Sequence, residues 1–432
     1  MRPSRFLILL AFFADTSAES ATLEEAVNAA QAKSSLVGIS EQQANQSRAQ
    51  LWRGRFTLLP SVFLEGSYTL NQREITMDPL EWLPEEYADF IPGDFEPTVI
   101  QQKEYLSANL RVDQTLFDAR TLPVLRAAGQ GVAAAEANVE RAKRLLKSQV
   151  AQMAYQVQAT REASDLARRA VTMAQVQQDM ADTRKQLGSG ARREQLQAQL
   201  AYSQAQRELR RAEEMEQAAE LAFSQLTGFE RDVRLDLQEQ LDLPSSLEQA
   251  QALARRHRSD LRAALSQMNA SKAMHSASKW SFLPRLSASF VTTYTENTVF
   301  SEYPTAWLGM VNAQWALWDG GGYRAQVATD RANWRMAQMA EEDTRYRVER
   351  EVEAAWGALA RSRQAHSAVK VEVALAKENL DLAEASLPTG AASWVDVERA
   401  RLGMQSASLA ELRERMSLRL SEIQLLVATG RY

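Results

Sequence analysis

The feature that most constrains this chain is that it contains itself twice. Residues 246–294 align without a gap to residues 22–70 at an offset of 224. Ser246-Leu247-Glu248-Gln249-Ala250 matches Thr22-Leu23-Glu24-Glu25-Ala26, and Phe282-Leu283-Pro284 matches Leu58-Leu59-Pro60. Farther on, Leu317-Trp318-Asp319 matches Leu116-Phe117-Asp118, and Ala428-Thr429-Gly430 matches Leu226-Thr227-Gly228. The offset between copies drops by 23 across one segment only, 71–104 against about 295–305. Self-similarity of this extent means two copies of one structural unit.

Each unit changes period in the same order. Residues 22–57 read as a helix opened by a capping box, Thr22 with Glu25, and closed by Pro60. Residues 61–70 then alternate: Val62, Leu64, Gly66, Tyr68 and Leu70 on one face, mostly polar residues on the other. Alternation resumes at 105–117, with Leu106, Ala108, Leu110, Val112 and Leu116 on one face. A helical run over 119–187 follows, then a break at Leu187, Gly188, Ser189 and Gly190, then a helix over 191–227. In the second copy the helix is 246–280. The strands place Leu286, Ala288, Phe290, Thr292 and Tyr294 on one apolar face, and Trp307, Gly309, Val311, Ala313, Trp315 and Leu317 on the other. A long helix over 323–386 reaches a second break at Pro388, Thr389, Gly390 and Ala391, and a last helix covers 391–427. Ser393 stands where a hydroxyl caps that helix. The organisation expected is 1–18 leader, 19–228 first repeat, 229–245 connector and 246–432 second repeat.

The leader is read as a secretory signal. Arg2 and Arg5 precede the apolar run 6–14, and Thr16-Ser17-Ala18 offers a cleavage site after Ala18. Nine apolar residues are well short of the ~20 that a spanning helix needs. The chain has no cysteine, which removes disulfides, thiolate metal sites and a lipid-modified N-terminal cysteine. A net charge of −5 does not suggest a partner in nucleic acid. His257, His275 and His366 stand apart without metal-ligand spacing, and no nucleophile–base set stands out. No cofactor, metal or catalytic role is expected. Gly320-Gly321-Gly322 lacks the Lys-Ser/Thr of a phosphate loop and reads as a strand-to-helix turn.

Lengths suggest how the units close. A helix of 69 residues runs roughly 100 Å at ~1.5 Å per residue, far more than a compact domain needs. The return paths are built from shorter helices of 35 to 37 residues, which stack in pairs to the same length and gather both termini and the connector at mid-height. Four amphipathic strands of 9–11 residues fit a membrane sheet, but open edges in lipid leave backbone groups unpaired. Four strands per chain therefore imply an oligomer that shares one barrel, with Trp307, Trp315, Trp318, Tyr105 and Phe117 available for aromatic girdles.

In this plan the chain resembles the TolC-like outer membrane efflux protein family. The resemblance covers residues 22–430. It rests on the duplicated helix–strand–strand–helix–tip–helix order, the Leu-Pro at each strand entry, the Leu-Phe-Asp and Leu-Trp-Asp at each exit, the two Gly-containing tips and the Thr-Gly endings. It implies a fold that is mainly α with membrane β: four transmembrane strands per chain in a trimeric β-barrel, continued by a long periplasmic α-helical barrel. It implies a homotrimer in outer membrane lipid, serving tripartite efflux or type I secretion. A periplasmic adaptor and an inner-membrane pump of RND, ABC or MFS type would complete it. The two tips would meet the adaptor and close the entrance. Gly390 and Asp396 match the family's tip glycine and the aspartate six residues on, and Gly188 and Glu194 match the same positions in the first tip. Asp396 is the candidate for an acidic ring on the pore axis. Its alternative is a solvated helix carboxylate. Arg399 stands where some members carry a second aspartate, and Ala392 where an arginine often latches the closed state. A periplasmic adaptor and an exported helical scaffold are the other readings weighed. The segment 71–104 holds nine acidic residues against two basic ones, as a lid, a ligand contact or a spacer would.

Overall fold

A computed structural model of the chain describes residues 21–77, 98–188, 191–230, 235–237, 241–298, 303–387 and 389–432. The expected leader, 1–18, lies outside the described residues, as do most of the acidic segment and Ser189, Gly190 and Pro388 of the tips. In chain order the elements are β1 (Ala21–Thr22), α1 (Leu23–Lys33), α2 (Ser35–Phe56), β2 (Ser61–Leu70), β3 (Ile75–Met77), β4 (Thr98–Gln101) and β5 (Glu104–Phe117). Then come α3 (Thr121–Gln186), α4 (Arg192–Thr227), β6 (Leu235–Asp236), α5 (Leu247–His257), α6 (Ser259–Trp280), β7 (Arg285–Thr295), β8 (Thr305–Gln314), α7 (Gly322–Ser386) and α8 (Trp394–Thr429).

The chain divides into two compact units. One comprises Gln43–Ala135 and Ala264–Glu341. Its centre is a four-stranded antiparallel sheet in the order β2-β5-β7-β8. Residues directly opposite in such a sheet share a face, so the register tests the expected parity. Val62 faces Val112, Leu64 faces Leu110, Val112 faces Phe290, Ala288 faces Val311 and Thr292 faces Trp307. The apolar faces expected on four separate strands are thus one continuous face. That face is bare: Leu64, Trp307 and Val311 are 79%, 75% and 71% exposed. The other face is mostly polar, with Phe63, Val291, Leu308 and Met310 among its residues; there Ser67 and Ser107 share a hydrogen bond of 2.8 Å and Arg111 pairs with Asp113 at 3.0 Å.

Two details differ from the sequence reading. The pairing slips between Thr115 and Phe117, setting Phe117 opposite Leu286. A bulge of this kind places two residues against one and resets the alternation. Phe117, not Leu116, therefore continues the apolar face. And β8 ends at Gln314, so Trp315 and Leu317 belong to the turn into α7. There Trp315 Nε1 donates to the Phe282 carbonyl at 3.0 Å, and Gly320 and Gly321 take positive φ values of 71° and 95°.

The other unit comprises Met1–Gln42, Glu136–Ala263 and Glu342–Tyr432, and it holds the buried core. The helix expected over 22–57 is two helices, and so is that over 246–280. The breaks fall at Ser34 (φ −70°, ψ 113°) and Arg258 (φ −68°, ψ 116°), which are equivalent at the offset of 224. The capping box of Thr22 and Glu25 forms as expected. Ala26 and Ala30 are fully buried, and so are their equivalents Ala250 and Ala254 at 0% and 1% exposure, which lets α1 and α5 approach their neighbours closely. They pack with Val150, Tyr155 and Ile423 in one cluster, and with Val352, Leu359 and Leu425 in the other. β1 and β6 pair in parallel, Ala21 with Leu235 and Thr22 with Asp236. Around them the Tyr155 hydroxyl donates to the Leu237 carbonyl at 3.1 Å, Arg431 pairs with Asp242 at 2.8 Å, and Lys147 lies over the Tyr432 ring. The start of the described chain, the connector and the C-terminus are thus gathered beside the middle of α3. Among the described residues no helix is long and apolar enough to cross a membrane, which says nothing of the sheet. No cluster of three or more metal-ligating side chains occurs among them.

Candidate functional site at the helix tips

The second tip is built by local hydrogen bonding. After α7 the N–H groups of Ala391 and Ala392 both donate to the Ser386 carbonyl, at 3.2 and 3.3 Å, and the Thr389 hydroxyl donates to it at 2.9 Å. Gly390 takes φ 76°, a left-handed value that suits glycine. Ser393 then opens α8 with a complete capping box. The Asp396 N–H donates to Ser393 Oγ at 3.3 Å, and Ser393 N–H and Oγ donate to Asp396 Oδ2 at 3.0 and 2.6 Å. The Ser393 hydrogen bonds hold the Asp396 carboxyl below its ordinary range. Arg399 lies one turn on, its Nη1 3.6 Å from Asp396 Oδ1, with both side chains exposed. The structure therefore brings Asp396 and Arg399 together, and it gives each Asp396 oxygen a local occupation.

The first tip has the same skeleton without the cap. Gly188 takes φ 73°, and Gly188 N–H donates to the Lys185 carbonyl at 3.1 Å. Glu194 and Asp396 occupy the same third position of their helices, α4 and α8. The residue before α4 is Ala191, whose side chain has no oxygen to accept, so Glu194 has no reciprocal cap. Glu194 is half-buried and does not meet Asp396 or Arg399. Leu187 is 76% exposed at the turn.

Contacts that the sequence reading missed tie the second hairpin to the first. The Arg184 guanidinium of α3 lies 5.6 Å from the centre of the Trp394 ring of α8. One turn in, Gln177 is buried between Glu398 and Arg401. With its amide nitrogen turned toward Glu398 it donates at 2.8 Å and presents its oxygen to Arg401. Arg401 also donates to Glu384 of α7 at 2.6 Å. Burial pushes the Glu398 carboxyl up, against the pull of Arg401. The ladder continues away from the tip, where Arg415 pairs with Glu162 and Arg419 Nε donates to the Tyr155 hydroxyl at 2.9 Å. The sequence signal for it was there: Trp394, Glu398 and Arg401 recur at helical spacing on one face of α8.

The cap and the ladder separate by mutation. Ser393→Ala removes the accepting hydroxyl and costs about 1 kcal/mol, confined to the first turn of α8. Hydrogen exchange at residues 394–397 is expected to speed up about fivefold, the equivalent of that energy, with residues 415–425 unchanged. The carboxyl is held low, so its share of the cap is present at neutral pH. It is lost as pH falls below the ordinary 3.8 through the lowered value.

A sheet of four amphipathic strands with open edges, joined to helices of 65 and 66 residues that turn at tips, defines a subunit of a membrane barrel with a helical extension. The comparisons agree. The outer membrane efflux protein family matches residues 26–229 and 250–431, and the chain belongs to that family. Among solved structures the chain is similar to CusC, with a TM-score of 0.77 at 18% identity, over 94% of this chain and 92% of that one. It is similar to VceC, an outer membrane protein of Vibrio cholerae, with a TM-score of 0.74 at 18% identity, over 94% and 96%. It is also similar to the CmeC outer membrane channel of Campylobacter jejuni, with a TM-score of 0.76 at 17% identity, over 95% and 85%. No curated protein sequence matches the chain at a significant level. The fold class is that expected, a mainly helical chain with a duplicated repeat and membrane strands. The protein is an outer membrane channel of a tripartite efflux system, with its strands in the outer membrane and its helices in the periplasm. Channels of this family are homotrimers that pair with an adaptor and an inner-membrane pump.

Proposed function

We propose that this chain is a passive exit duct whose periplasmic entrance is closed by its own helix tips. An adaptor and a pump of the RND, ABC or MFS class would open and drive it. The observation that carries the duct is the sheet: among the described residues, β2 and β8 each leave one edge unpaired. In hydrocarbon an unpaired strand edge costs several kcal/mol per group, so edges must meet other edges. β2 and β8 run in opposite directions, so β8 of one copy beside β2 of the next continues the antiparallel pattern, and three copies give a closed barrel of twelve strands. Residues 1–18 are removed on export in this reading. The tips Leu187, Gly188, Ser189, Gly190, Pro388, Thr389, Gly390 and Ala391 face the adaptor.

Asp396, Glu194 and Arg399 are the proposed gate residues. Asp396 is exposed and stays ionised at neutral pH, and three such carboxylates around a three-fold axis favour cations. Arg399 beside each one weakens that ring. Purified mature protein in planar bilayers is expected to conduct as a trimer with mild cation preference. Asp396→Asn brings the cation-to-anion permeability ratio toward unity, Arg399→Ala raises it, and Ser393→Ala, which removes only the cap, leaves it in place. An unchanged ratio in Asp396→Asn removes Asp396 from the pore. Recovery of the protein as a soluble periplasmic monomer overturns the channel reading altogether.

A further inference from the structure

The helix-side end of the sheet has a charge of its own. The register places four chain junctions at one end: Ser61 pairs with Asp113, Leu286 with Phe117 and Arg285 with Gln314. The junctions are residues 52–60, 117–126, 279–285 and 315–324. They hold seven cations against two carboxylates, a net charge of +5 in a chain whose total is −5. The segments of sequence between β2 and β5 and between β7 and β8, 71–104 and 296–304, hold eleven carboxylates against two cations.

The two junction carboxylates are already occupied. Asp118 is held by Arg120 at 2.7 Å, and Asp319 accepts from the Gly321 and Tyr323 N–H groups at 3.1 and 2.6 Å, starting α7. Arg53, Arg55, Arg126, Lys279, Arg285 and Arg324 are exposed, and none forms a salt bridge among the described residues. Trimer formation does not supply the missing carboxylates at this level. Each copy brings the same junctions and the same surplus, so the closed rim accumulates positive charge.

Exposed aromatic rings share the zone with these cations. Trp52, Phe56, Trp280, Phe282, Trp315 and Trp318 are all exposed, Trp318 at 80%. Rings of this kind settle at the level of lipid headgroups, and arginine or lysine stems lie along apolar surface while their charges reach the phosphates. Basic residues at a membrane surface attract anionic lipid, and the attraction is screened by salt.

We propose that the helix-side rim of the barrel is a binding belt for the headgroups of anionic phospholipids in the periplasmic leaflet. The belt selects them over zwitterionic phospholipids through its unpaired arginines and lysine. It rests on the outer-membrane reading above, and it adds a lipid preference to it.

The test uses the full-length mature trimer in nanodiscs of phosphatidylcholine alone, or with phosphatidylglycerol at roughly one part in four. The wild type is expected to melt to monomers several degrees higher with phosphatidylglycerol, and to retain it over phosphatidylcholine by about threefold in native mass spectrometry. Half-molar sodium chloride removes most of the difference. Arg53→Gln/Arg55→Gln/Arg324→Gln loses at least half of it while melting as before in phosphatidylcholine. Arg207→Gln/Arg210→Gln/Arg211→Gln, equal in charge change but placed on α4, keeps it. No lipid preference in the wild type, or the same preference in both triple variants, overturns the belt. If the rim variant fails to assemble, retention by the wild type with and without salt decides alone. A channel that conducts without lipid preference leaves the outer-membrane reading standing; a protein that inserts into neither bilayer removes that reading itself.

Discussion

Replacing Arg258 with alanine destabilises the helical unit by about 3–5 kcal/mol, because it strands a buried carboxylate. Arg258 sits at the break between α5 and α6. Its guanidinium donates to Asp260 at 2.9 and 2.7 Å, to Glu351 of α7 at 2.6 Å and to the Ala428 carbonyl of α8 at 3.3 Å. The side chains of Arg258 and Asp260 are 13% and 7% exposed, so water does not replace these bonds. Burial alone would push the Asp260 carboxyl up; the hydrogen bonds and charge of Arg258 outweigh it and hold the carboxyl low. Without Arg258, burial wins and the ion is left uncompensated. The expected result is an early loss of protease resistance on heating in detergent. Arg258→Met/Asp260→Asn recovers at least half, because no buried unpaired ion remains, Glu351 being exposed to water. An alanine variant as stable as the wild type means that the clamp contributes nothing. The Asp260 share has a pH signature. With its folded value depressed, it is complete above the ordinary 3.8 and disappears as pH falls through the folded value.

The same position in the first repeat solves the problem differently. Ser34 is the equivalent of Arg258, with nearly the same φ and ψ. Its hydroxyl accepts from the Val37 N–H at 3.4 Å and its carbonyl from the Gly38 N–H at 3.0 Å, so a single residue ends α1 and caps α2. The arginine side chain has no oxygen to accept. In the second repeat Asp260 accepts from the Leu261 N–H at 3.0 Å, and Arg258 anchors that carboxylate. One backbone bend is thus held by a hydroxyl in one copy and by an ion pair in the other.

Much of the fold was legible because period and repeat are local properties. Val62, Leu64, Leu110 and Trp307 declare their face by alternation, and copying that parity at an offset leaves little room for another sheet. The bends at Ser34 and Arg258 were not legible. No proline or glycine marks them, and a helix-forming run continues on both sides. What holds the bend at Arg258 is tertiary, its contacts with Glu351 of α7 and the Ala428 carbonyl of α8. The bulge at Leu116 was hidden for a related reason, since alternation read along one strand cannot show two residues set against one. At the tips, the cap residues Ser393 and Asp396 were visible from spacing. The bridge from Gln177 to Glu398 and Arg401 joins residues more than two hundred positions apart: helical spacing puts Glu398 and Arg401 on one face of α8 but does not name the partner that they meet.

Gly430→Ala is expected to cost more than Gly228→Ala, although both glycines end equivalent helices. Each is in the left-handed region, at φ 74° and φ 80°, and each follows a buried threonine whose hydroxyl donates back into its helix. An alanine in that region costs roughly 1–2 kcal/mol at either place. The surroundings then differ. A β-carbon on Gly430 would stand 2.9 Å from the His257 carbonyl carbon and 3.0 Å from Arg258 N, backbone held by the clamp just described. The three atoms nearest to a β-carbon on Gly228 all belong to the side chain of Lys33, the repeat equivalent of His257, whose ammonium end can swing away. Overpacking against fixed backbone adds about 1–3 kcal/mol at Gly430 and little at Gly228. Asparagine separates the two causes, since it tolerates left-handed backbone but still carries a β-carbon. Gly228→Asn is expected to unfold close to wild type, and Gly430→Asn to remain as impaired as Gly430→Ala. Equal losses at the two positions would mean that backbone conformation alone sets the cost, and that the close approach of α8 to the α5–α6 bend has slack that its geometry does not show.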